Sequence, residues 1–291
     1  MKVKTKIWLG VGAFAVAGAA GTSGIAGPLA AGVRLPAALL TDAAHRRAPA
    51  GPLVLAQHSD HPQPPGAEAG AGGQRGLTNL PPELAFATRI ALLRGHLLIG
   101  DELVKQQQWN AALPHFLHPT EELYGDLKDK LEEYKIAPFD GALKALSDVV
   151  KARKTADYAK AKKSVDDALM AADAAMKDRS GDWPGFVVET AVEALKAAPG
   201  EYKDAIVDGK IAKPVEYQDA RGFILQGERM IESVAADLEK KNPEALAAVR
   251  AGLAELKKAF PTPMPPRAPV KDHAAVLADV AGIELAAAKL M

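Results

Sequence analysis

The sequence predicts an all-α fold: two packed helical bundles that follow an N-terminal export segment. Three observations carry this expectation. Aromatic residues make up only 5 % of the 291 residues. Ala, Leu, Lys and Glu dominate from Leu77 onward, which favours helix over sheet packing. Apolar positions there recur at spacings of three, four and seven, and no strand–turn–strand pattern is evident. The length suits one large or two ordinary domains.

The first element is an export signal assigned to residues 1–24. Lys2, Lys4 and Lys6 precede an uncharged run from Ile7 to Ala20, the arrangement of a basic n-region and an apolar core. Ala-Val-Ala at 15–17 and Val-Leu-Ala at 54–56 both satisfy the small-residue rule, so cleavage as late as residue 56 is an alternative, and an uncleaved membrane anchor is another. A start at Gln57 would move the formal charge from 0 to −5. Residues 25–77 read as a flexible Gly/Pro-rich segment, and its His58 and His61 as solvated tail residues.

The first bundle spans 78–179. Pro81–Pro82 opens a helix carrying Phe86, Ile90, Leu93, Leu97 and Val104. A turn follows near Gln106–Asn110, then a helical segment from Ala111 to Tyr134 interrupted by Pro114 and Pro119, and helices over 141–151 and 156–177. The second bundle spans 180–291, after the Ser180–Gly185 boundary. Its helices are expected at 186–198, 202–209, 215–240, 243–260 and 274–290, with a proline-rich connector at 261–269. Arg94–Val104 and Arg221–Ile231 share four identities in eleven positions, which suggests an internal duplication. Each copy holds two glycines five apart inside a helix, a cost that close approach of a neighbouring helix or a ligand would explain. Phe223 stands where the first copy has His96.

Composition excludes several chemistries. With no cysteine there are no disulfides, thiolate zinc sites, iron–sulfur clusters or cysteine nucleophiles. A formal charge of zero gives no basic stripe for nucleic acid. No catalytic motif is recognisable, and no catalytic residue is assigned.

One constellation points to a metal. His96 lies on a mostly apolar stripe, where its ring nitrogens need a hydrogen bond or an ion. His115, His118 and Glu122 fall on one helical face at spacings of three and four. If the chain reverses near Gln108, His96 faces the middle of that segment. Three imidazoles and a carboxylate suit iron, copper or zinc better than calcium or magnesium. The ligand set expected is His96, His115, His118 and Glu122; haem with an axial histidine and a histidine cluster of purely structural role remain alternatives. Glu216 and Asp219 read as acidic residues favoured by a helix N-terminus, and Trp109 and Trp183 as plugs of the bundle ends.

The Gly95-His96 pair, the carboxylates near His118 and the apparent duplication give the chain a resemblance to the imelysin-like proteins of bacterial periplasmic iron uptake. It departs from their pattern at Arg94 and Ile99. The resemblance implies a periplasmic protein of iron handling, with His96 as a metal ligand and an envelope transport or membrane partner.

Overall fold

The computed structural model describes residues 77–291; the expected export signal and the Gly/Pro-rich segment up to residue 76 lie outside the described residues. A 3-10 turn, Leu77–Asn79, leads into α1, Pro82–Lys105. Proline suits this first turn because its missing N–H is one the helix leaves unpaired anyway. The chain reverses after α1 through Gln107, whose φ of 61° is left-handed. Short helices α2 (Trp109–Ala112) and α3 (Pro114–His118) follow, then a π-helical turn, Pro119–Leu123, and α4, Tyr124–Glu133. Pro114 and Pro119 each remove a donor from the helical ladder. The kink expected beside the histidines therefore takes the form of the π turn, a feature common at functional sites. Helices α5 (Asp140–Lys151) and α6 (Thr155–Lys177) pack on one another.

Helix α7 runs from Trp183 to Ala205. Its start is capped by Asp182, which accepts the Gly185 N–H at 3.1 Å. Two helices were expected here, but α7 passes through Pro199 without stopping. A second correction follows at once. The sequence reading found no hairpin, yet β1 (Ile206–Val207) and β2 (Lys210–Ile211) pair antiparallel, with Ile206 opposite Ile211. Asp208 and Gly209 turn the corner at φ of 50° and 70°, the Asp-Gly signature of a tight hairpin. Strands of two residues are too short to show alternation. Helices α8 (Pro214–Ser233) and α9 (Ala235–Lys241) replace one expected helix, with the break at Val234. Helix α10, Pro243–Leu256, is capped by Asn242; the proline-rich connector then leads to α11, His273–Ala287, capped by Asp272.

Helix α8 is central, packed along α7 and α1, while α11 packs on α10 and α7. The two similar segments, Arg94–Val104 and Arg221–Ile231, meet at the α1–α8 crossing. A Cβ added to Gly95 would lie 2.6 Å from the Phe223 ring and 3.2 Å from the Gly222 carbonyl carbon, and one added to Gly222 would run into the Gly95 carbonyl. The glycines are there because the two backbones touch. Their second partners differ: Gly100 accommodates Phe116, and Gly227 accommodates Leu195.

Gly222→Ala should therefore destabilise the fold by about 1–3 kcal/mol through overpacking. Gly282, where an added Cβ meets nothing within 4 Å, is the control: Gly282→Ala should stabilise α11 by about 0.5–1 kcal/mol. Chemical denaturation of both variants checks the contrast.

Candidate metal centre

Asp219, on the second turn of α8, is 3 % exposed and sits among three imidazoles. Its Oδ1 lies 2.7 Å from Nδ1 of His96 on α1 and 2.7 Å from Nδ1 of His115 on α3. A carboxylate oxygen in these contacts accepts, so both rings donate. The other nitrogen of His115 is also committed, because Nε2 lies 2.9 Å from Gln218 Oε1. The orientation of that amide is set by its own Nε2, which donates to the Pro263 carbonyl at 3.1 Å. Both His115 nitrogens are thus engaged by protein side chains. Of the four residues expected as ligands, His115 is brought into the cluster but used to hold Asp219.

His118 is placed differently. Its Nδ1 is buried and makes no hydrogen bond. The nearest acceptors are Asp219 Oδ2 at 3.4 Å and Glu122 Oε1 at 3.9 Å. The His96 and His118 rings meet edge to face, 5.4 Å between centroids. Donor atoms of His96, His118 and Glu122 all lie within 4.8 Å of one another, and so do those of His96, His115 and Asp219. Donors at about 2.0–2.2 Å from a shared ion are separated by at most about 4.4 Å, so a cation needs only a small closure of the first set. The residues brought together by the hairpin are the ones the helical spacing singled out.

Electrostatics reinforce the arrangement. Burial would raise the Asp219 carboxyl, but the imidazoles of His96, His115 and His118 hold it well below the usual carboxylate range. Burial pulls His118 down, yet Asp219, Glu122 and Glu121 outweigh this and lift it from 6.5 to about 9. Two further carboxylates stand behind the cluster. Burial pushes Glu201, on α7, up to about 9, with repulsion from Asp219, Glu122, Glu216 and Asp204 adding to it. Glu216 is also raised, chiefly by burial, with Lys213 at 3.9 Å in opposition.

Sequence reasoning read Asp219 only as a helix-start acid and missed Gln218 and Glu201. Asp219 carried a visible signal, since it shares a face with Phe223 and Gln226, but a carboxylate near a helix start has a commonplace explanation in the dipole. Phe223, the counterpart of His96, stacks on it at 5.0 Å. Arg89 finds its carboxylate in Asp126 at 3.3 Å, and Glu102 pairs with Arg221.

Residues 180–291 match the family described as the iron permease-associated 4-helix bundle domain. The matched stretch contains α7, α8, α10 and α11, and with them Glu201, Glu216 and Asp219; the histidines of the cluster precede it. This supports a relation to iron-uptake helical proteins without singling out the imelysin-like ones. No curated protein and no solved structure matches the chain.

Removing Asp219 leaves buried donors unpaired, so Asp219→Ala should cost about 3–5 kcal/mol in the metal-free protein, measured by urea unfolding. A second expectation concerns pH. Because His118 is lifted from 6.5 to about 9, its contribution to stability is complete below pH 6.5 and is lost as pH rises through 9. The melting advantage of the metal-free wild type over His118→Gln should shrink across that window.

Proposed function

We propose that the chain is a metal-binding helical protein of iron handling, a carrier or sensor acting beside a membrane permease. His96, His118, Glu122 and Asp219 hold the ion in this reading, and His115 with Gln218 keeps Asp219 in place. The observation that carries it is the His118 Nδ1, buried with no hydrogen bond and with two carboxylates within 4 Å, in a set of His96, His118 and Glu122 donor atoms that lie within 4.8 Å of one another. Leaving such an atom unpaired is costly unless a proton or a cation supplies the missing contact. Imidazole and carboxylate together suit iron, copper or zinc. The match to an iron permease-associated domain favours iron and supplies the permease as the partner class. The Lys2–Lys6 region and the apolar run behind it favour an exported or periplasmic location, with an anchored form as the variant. Among the described residues no helix is long and apolar enough to cross a membrane.

The purified chain should take up one ferrous, cupric or zinc ion, measured by equilibrium dialysis with elemental analysis. His96→Phe, which copies the Phe223 position, and His118→Ala should stay helical by circular dichroism and lose that stoichiometric ion. Affinity should weaken as pH falls below about 9, since an ion must displace the His118 proton. Equal metal content in the wild type and both variants would leave the histidines a structural role and the protein a helical scaffold.

A further inference from the structure

An open cavity of about 180 Å³ lies between α1, α6 and α8, apart from the histidine cluster. A single water needs about 10–15 Å³, so there is room for a small organic molecule. Leu97, Leu98 and Leu169, all buried, give the cavity an apolar floor. Its wall holds three cations and two carboxylates, and most of that charge is already matched. Arg94 grips Asp173 with both ends of its guanidinium, at 2.9 and 2.8 Å. Lys162 pairs with Asp166 at 2.5 Å. Asp101 takes Lys105 at 2.6 Å and the Tyr158 hydroxyl at 3.1 Å. Arg229 is the lining cation left over, for it pairs with no carboxylate among the described residues. Gln226, one turn before it on α8, also lines the cavity. Its side chain is only 6 % exposed and has no hydrogen-bond partner among the described residues. A buried amide without a partner is costly, and whatever fills the cavity can supply one.

We propose that this cavity binds a small monocarboxylate with an apolar body. The proposal does not depend on the metal-site reading, because Gln226 lies two turns, about 10 Å, beyond Asp219 along α8. A planar carboxylate accepts two parallel N–H groups from a guanidinium, here that of Arg229, and a third from the Gln226 amide. The hydrocarbon part then rests on the leucine floor, where each buried methylene strengthens binding about fourfold. One unmatched cation suits one negative charge. Asp101 and Asp166 repel a dianion such as phosphate.

The test titrates the protein at neutral pH with isovalerate, isovaleramide and inorganic phosphate, followed by heteronuclear NMR. Saturable shifts of the Leu97, Leu98 and Gln226 amides are expected with isovalerate alone. Arg229→Gln, an exposed position that should fold, should weaken isovalerate at least about tenfold by removing a charge-assisted pair. Gln226→Leu should weaken it about threefold or more without lowering the melting temperature, since it removes an unpaired buried amide. Arg267→Gln, exposed in the proline-rich connector and outside the cavity, controls for net charge and should bind as the wild type does. No saturable shift in the wild type would overturn the proposal. So would equal binding of isovaleramide or phosphate, unchanged binding in Arg229→Gln, or an equal loss in Arg267→Gln.

Discussion

The structure depends on a buried carboxylate that must be answered. Asp219 lies in the interior of a helical protein, where an isolated negative charge would be driven to take up a proton. Instead its pKa is depressed by His96 and His115 at 2.7 Å and by His118 farther off. Those imidazoles come from α1 and α3, and Asp219 from α8, so satisfying one charge ties together three elements distant in sequence. A change at this residue is felt across the molecule for that reason. The same requirement explains Gln218, which uses one end of its amide on His115 and the other on Pro263. The proline-rich connector is thereby fastened to the floor of the site.

Close approach makes this possible. Gly95 and Gly222 let the α1 and α8 backbones touch, and each glycine is followed by a ring, His96 on one helix and Phe223 on the other. The two similar segments thus meet face to face, and the site arises where they differ. One segment contributes an imidazole and the other an aromatic wall against it. Asp219, just before the second segment, supplies the charge that the histidine side needs. Glycine inside a helix is unfavourable by about 1 kcal/mol against alanine, and the crossing supplies the packing that offsets it.

Much of this was legible in the sequence. Helical periodicity located most of the helices, because apolar stripes at helical spacing survive without knowledge of the partners. The His115–His118–Glu122 face and its meeting with His96 followed from helix geometry and one reversal near Gln108. Proline at 114 and 119 announced the interruption, although not that it would be a π turn. What stayed hidden was long-range. The spacing of Asp219 says nothing about histidines more than a hundred residues earlier, and a carboxylate near a helix start is ordinary. The Asp208-Gly209 hairpin escaped because two-residue strands carry no period, and the break expected between residues 198 and 202 is absent because the helix continues through Pro199.

Diffraction from crystals of the chain soaked with zinc, recorded at the zinc absorption edge, tests the central claim most directly. The account predicts a single strong anomalous peak between His96, His118, Glu122 and Asp219, about 2.0–2.2 Å from His118 Nδ1. It also predicts that His115 remains on Asp219 and Gln218 rather than on the ion. Zinc found only elsewhere on the protein, with His118 Nδ1 still unligated, would contradict it.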